Sequence, residues 1–245
     1  MLLLLSPAKT IRENKLPKFS DILCRNFSEP EFAFYAQELT AKLAKASAKE
    51  LAVGLKINEK LAEQNFQRYQ MMLRGESLQN PAVYAYNGIV FKNLDVLNLS
   101  DEDVVYANSH ICFTSFLYGL LSPLDLISPY RLEGDFRLER GVKVFDFWKG
   151  KLTDSLIARA KKQGGVLCNL ASEEMKNLFD WGRVVSQVEV IEPEFKTQGR
   201  GIVVHTKMAR GLMARYIIQK KIDTEQELQS FNLGGYNFSE GVYQR

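Results

Sequence analysis

The stretch LLLLSPAKT, Leu2 to Thr10, decides how this chain folds. Its apolar run is far short of the about 20 residues that cross a bilayer, and it lacks the basic start and length of a signal peptide. Four leucines with nothing polar between them fit a strand covered on both faces, as in a sheet packed between helices. Pro7 ends the strand, because it has no N–H to give an inner ladder. The chain then enters a loop at a strand's carboxyl end, where open α/β sheets hold their ligands. Ser6, Lys9 and Thr10 supply hydroxyls and a point charge to that loop. Such a set suits a phosphate, although the glycines of a P-loop are missing. A plain loop with a surface lysine has the same composition.

Further buried strands are expected at Ile111–Phe113 and Val166–Cys168. The alternation in Val184–Phe195 predicts a half-buried antiparallel strand. A turn at Gln198-Gly199 would join it to another strand, Gly201–His205. Helices carry start signals: Ser28 with Glu31, Ser47 with Glu50, Asn58, Ser100 with Asp103, and Asp223 with Gln226. A short helix is expected at Phe116–Leu121, longer ones at Phe147–Lys162 and about Lys207–Lys221. The fold class is therefore α/β of the mixed α+β kind. We expect a single domain over 1–245, with a central mixed sheet, flanking helices and a basic cleft. A helical lobe would cover about 28–110.

Composition limits the function. The 245 residues include 46% hydrophobic and 25% charged side chains, and the formal net charge is +3, too weak a bias to argue for nucleic acid without local clustering. Cys24, Cys112 and Cys168 are far apart, which reads as free thiols in a reducing cytosol. With His110 and His205 as the only histidines, no metal site and no cofactor is expected. The chain reads as soluble and cytoplasmic, with no membrane contact.

Local clustering appears in TKMARGLMARYIIQKK, Thr206 to Lys221, which holds five cations and no acid. At about 100° per residue, Leu212, Met213, Tyr216 and Ile217 share an apolar face. Lys207, Arg210, Gly211 and Ala214 fall opposite. The small residues would let a phosphate backbone or nucleotide come close between flanking cations, or would let another helix pack tightly. Lys207, expected in the first turn, would oppose the helix dipole and so needs another reason to be there. Arg131 and Glu133 follow a proline turn, where Arg131 suits bidentate binding of phosphate or carboxylate, or a structural ion pair with Glu133 or Asp135. Asn169 and Ser172 lie past a strand end, and Ser172 would cap the next helix.

Five stretches in register resemble the YaaA family: SPAKT at Ser6–Thr10, LYGLLSPLDLISPYRLE at Leu117–Glu133, NLAS at Asn169–Ser172, KMARGLMARYII at Lys207–Ile218 and FNLGGYNF at Phe231–Phe238. The resemblance spans nearly the whole chain. It implies a mixed α/β fold with a positively charged cleft and a role in peroxide and oxidative stress. It further implies limits on free iron and on oxidative DNA damage, and DNA binding through a helix-hairpin-helix-like element.

Two functions follow as expectations. In the first, Ser6, Lys9, Thr10, Arg131, Lys207, Arg210 and Arg215 contact the phosphates of double-stranded DNA in one basic cleft, largely independent of base sequence. In the second, an enzyme acts on a nucleotide or other phosphorylated small molecule in the same cleft, with Glu133 as candidate acid/base and Lys207 as phosphate clamp.

Overall fold

The computed structural model describes residues 1–245 except 15, 17 and 198–201. The strands are β1 (Leu2–Leu5), β2 (Asn80–Pro81), β3 (Ile111–Ser115), β4 (Gly119–Leu121), β5 (Leu126–Ile127), β6 (Val166–Asn169), β7 (Glu189–Ile191), β8 (Phe195–Lys196), β9 (Asn237–Ser239) and β10 (Val242–Gln244). The α-helices are α1 (Asp21–Arg25), α2 (Ala33–Leu43), α3 (Ala48–Leu55), α4 (Glu59–Leu73), α5 (Ala82–Ala85), α6 (Ile89–Leu94), α7 (Asp101–His110), α8 (Val144–Lys162), α9 (Trp181–Gln187), α10 (Ile202–Lys220) and α11 (Glu225–Leu228).

The main sheet runs β4-β3-β1-β6-β7, with β1 parallel to both β3 and β6. β6 is parallel to β7, and β4 returns antiparallel to β3. All four leucines of β1 are buried, so helices cover both faces, as the unbroken apolar run requires. Leu4 lies opposite Cys112 on one side, and Leu3 opposite Cys168 on the other. Both thiols are free and buried, whereas Cys24 is exposed. Burial pushes the Cys112 thiol up to about 11 and Cys168 higher still. Small sheets β8-β10-β9 and β2-β5 complete the mixed α/β fold.

The caps at Ser47, Asn58 and Ser100 form, and Ser47 with Glu50 closes a full capping box. Other sequence expectations give way to tertiary contacts. Ser28 does not cap a helix: its hydroxyl donates to Asp125 Oδ1 at 2.7 Å, and Glu31 pairs with Arg159. The last box is Thr224 with Glu227, one residue beyond the expected pair. Ser172 precedes a 3₁₀ turn without capping it and bonds Ser6 instead.

Phe116–Leu121 is not helical. Gly119 has φ +73°, Trp148 Nε1 donates to the Phe116 carbonyl, and the chain turns into β4. The LLSPLD segment accordingly runs through β4 into a turn before β5. Val184–Phe195 is not one strand, because α9 takes up its first residues behind the cap Asp180. Val184 and Val188 are both buried, a spacing that satisfies helix as well as strand. Of the strand expected over Gly201–His205, the described residues 202–205 are helical: α10 runs from Ile202, and Ile202, Val203 and Val204 are exposed β-branched residues on its outside. The turn expected at Gln198-Gly199 lies outside the described residues.

α10 packs on α6, and Gly211 sets how closely. A Cβ there would stand 2.2 Å from the Val90 carbonyl oxygen and 2.8 Å from Asn93 Cβ. Gly211→Ala should lower stability by ~2 kcal/mol or more through overpacking against backbone. Gly150→Ala, in α8 with open space around its Cβ position, should be neutral or raise stability by up to ~1 kcal/mol. Urea midpoints of the two variants check the contrast.

Candidate phosphate-binding cavity

A cavity of about 300 Å³ lies beyond the carboxyl ends of β1, β3 and β6. The order β4-β3-β1-β6-β7 means that the chain winds outward from β1 on one side, then restarts at β6 on the other. The crevice between β1 and β6 is thus a topological switch point, where open sheets leave room for a ligand.

The SPAKT loop forms one wall and is tied at both ends. Ser6 Oγ accepts the Ser172 N–H at 2.8 Å and lies 3.1 Å from Ser172 Oγ, and the Leu170 N–H donates to the Leu4 carbonyl at 2.9 Å. At the far end the Asn87 N–H donates to the Thr10 carbonyl, and Ala8 packs on Gly88. The floor is Phe116, Leu170 and Tyr130, all buried. Tyr130 Oη lies 2.7 Å from Ser115 Oγ and 3.0 Å from Tyr86 Oη. Burial raises the Tyr130 and Tyr86 phenols, so both stay protonated and can donate.

Ser6, Lys9, Thr10, Arg131, Glu133, Lys207 and Arg210 all line this one cavity, so the loop and α10 are two of its walls. Their charges are not equivalent. Glu133 Oε1 lies 2.9 Å from Arg131 Nη2 and 3.1 Å from Lys9 Nζ. These contacts are ion pairs by distance without hydrogen-bond geometry, and Arg131 Nε is buried without a partner among the described residues. The Tyr69 hydroxyl donates to the Arg131 carbonyl at 2.6 Å, fixing the backbone there. Arg210 differs: among the described residues its guanidinium has no hydrogen bond and no ion pair, and desolvation alone pushes its pKa down. Lys207, exposed on the rim, also has no ion pair among them.

Arg215 does not line the cavity. Five residues on from Arg210, it points about 140° away around the helix. Its Nη1 reaches Asp95 Oδ2 at 2.8 Å and the Asp95 carbonyl at 2.9 Å, so it clamps the end of α6. The Gly211–Ala214 stripe packs on α6 rather than facing a ligand. Lys207 lies beyond the first turn of α10, and the dipole argument for it falls away. Asn87, Phe91 and Met175 also line the site and went unread, since an Asn-Gly pair signals only a turn and apolar side chains signal only core. Among the described residues, no group of three His, Cys, Asp or Glu side chains could hold a metal ion, and no helix is long and apolar enough to cross a membrane.

Over residues 1–242 the chain matches the family described as peroxide stress protein YaaA. A UPF0246 protein of Bacteroides fragilis is 47% identical, with 98% of this chain and 94% of that protein covered. One from Bacteroides thetaiotaomicron is 44% identical, covering 99% and 95%. One from Shewanella baltica is 36% identical, covering 98% and 94%. With the match running through every strand of the sheet and every wall of the cavity, the chain belongs to the YaaA family of peroxide stress proteins.

Proposed function

We propose that this protein serves the peroxide stress response by binding DNA, with nucleotide phosphates held in the cavity. Less oxidative damage to DNA and less free intracellular iron would be the outcome. Arg210 carries the reading. A half-buried guanidinium that lines the cavity with no hydrogen bond and no ion pair among the described residues is placed to take an anion. Arginine presents a planar fork of donors that fits phosphate.

A second reading has its own support. At about 300 Å³ the cavity matches the lower end of small-molecule sites rather than a duplex groove. Glu133 and the protonated Tyr130 beside the cations would suit an enzyme acting on a nucleotide or other phosphorylated small molecule.

Fluorescence anisotropy with labelled duplex DNA across a salt series separates the readings. Under the first, the affinity falls steeply with salt, and Lys207→Ala/Arg210→Ala reduces the logarithmic salt slope by about 2. Duplex binding that is absent, or unchanged by the double substitution, rejects DNA in this cavity and favours the nucleotide reading.

The two arginines of α10 should also part company in stability. Arg215→Ala loses the Asp95 pair and several carbonyl bonds, and should destabilise by ~2 kcal/mol. Arg210→Ala should leave the melting midpoint unchanged or raised while weakening ligand binding. A large fall in its midpoint would mean that Arg210 is structural.

A further inference from the structure

We infer that the cavity is built for a phosphate monoester, the doubly charged phosphate of a mononucleotide or of a strand end, rather than for the singly charged diester within a strand. The inference rests on the phosphate reading above and narrows it.

Charge is the first argument. Lys9, Arg131, Lys207 and Arg210 face Glu133 and Glu174 around the cavity, which leaves two positive charges in excess. Glu133 carries a single charge, so with Lys9 and Arg131 it still sums to one positive. Lys9 and Arg131 share one oxygen of Glu133, whereas Lys207 and Arg210 have no carboxylate partner among the described residues. A dianion matches the excess of two over the whole cavity, and Lys207 and Arg210 are the cations free to face it. A diester would leave one positive charge unmatched where it is already partly out of water.

Shape is the second. Phe116, Leu170 and Tyr130 close the floor, and the free volume is about 300 Å³. An internal phosphate needs an exit for the chain on each side, whereas a terminal one needs only the mouth. Donors are the third. Thr10 Oγ1 makes no hydrogen bond among the described residues and can give its proton, Ser6 Oγ shares its own with Ser172 Oγ at 3.1 Å, and the Tyr130 hydroxyl is held protonated nearby. These add to the two cations a set of donors suited to the several oxygens of a terminal phosphate.

In this arrangement Glu133 sets the charge that the site accepts. It holds Lys9 and Arg131 and cancels one of their two positive charges. Replacing it by glutamine keeps its shape and releases Lys9 and Arg131, so anions should bind more tightly.

The test uses the full chain and four probes in calorimetry: deoxyadenosine monophosphate, its singly charged methyl ester, and one short oligonucleotide with and without a 5′-phosphate. The monoester should bind at least about tenfold more tightly than its methyl ester, as expected when a desolvated charge pair loses one charge. Glu133→Gln should tighten the monoester by about fivefold and Arg210→Ala should weaken it by at least about tenfold. Preference for the phosphorylated strand end would identify DNA termini as the source, and binding of the mononucleotide alone would identify free nucleotides. Equal binding of ester and monoester, both lost in Arg210→Ala, would overturn the monoester inference and leave the phosphate reading intact. Binding untouched by Arg210→Ala would remove both. Weaker monoester binding in Glu133→Gln, with an unchanged melting midpoint, would overturn the role given to Glu133.

Discussion

Hydrogen bonding of β1 along both of its edges is the constraint on which the rest depends. A strand paired in parallel with β3 and β6 brings three carboxyl ends to one level. Ser6 is thereby set beside Ser172, and Phe116 follows directly from the neighbouring strand. The inner wall of the cavity is assembled from the first residues beyond β1, β3 and β6, and Tyr130 to Glu133 and the start of α6 close around it. α10 is then held against α6 by a contact that only a hydrogen at Gly211 allows, which brings Lys207 and Arg210 to face the SPAKT loop.

The electrostatics divide the cations by purpose. Arg159 pairs with Glu31, and Arg215 pairs with Asp95 while gathering carbonyls, so each is satisfied within the fold. Lys9 and Arg131 share a carboxylate within the cavity. Arg210 alone combines partial withdrawal from water with the lack of any partner among the described residues. Charges satisfied internally belong to the scaffold, and the charge left open is the one on which the proposed ligand rests.

Much of this was legible in the chain. The leucine run, the proline stop and the second apolar run at Val166–Cys168 specify buried strands, because a run apolar at every position has no solvent face to offer. The loop cations and Lys207 and Arg210 of α10 could be picked out from the sequence, and the structure brings them to one cavity. What was not legible depended on partners distant in sequence. Ser28 carries a cap signal, yet Asp125, 97 residues away, takes its hydroxyl. The β-branched start of α10 reads as strand by propensity, and the helix that continues through it overrides that preference. Arg215 looked like Arg210, and only the location of Asp95 separates them. The small stripe at Gly211 and Ala214 fitted a helix or a ligand equally well, and nothing local could choose.

The two thiols that flank β1 have a bearing on durability. Oxidants attack the thiolate, and access to the sulfur governs how fast. Cys112 and Cys168 sit in the centre of the sheet, fully buried and held as thiols. A sulfenic acid at either place would push a polar oxygen into the close-packed layer between the sheet and its covering helices. By keeping both sulfurs protonated and out of reach, the scaffold is equipped to keep its shape under the oxidant load against which its family is named.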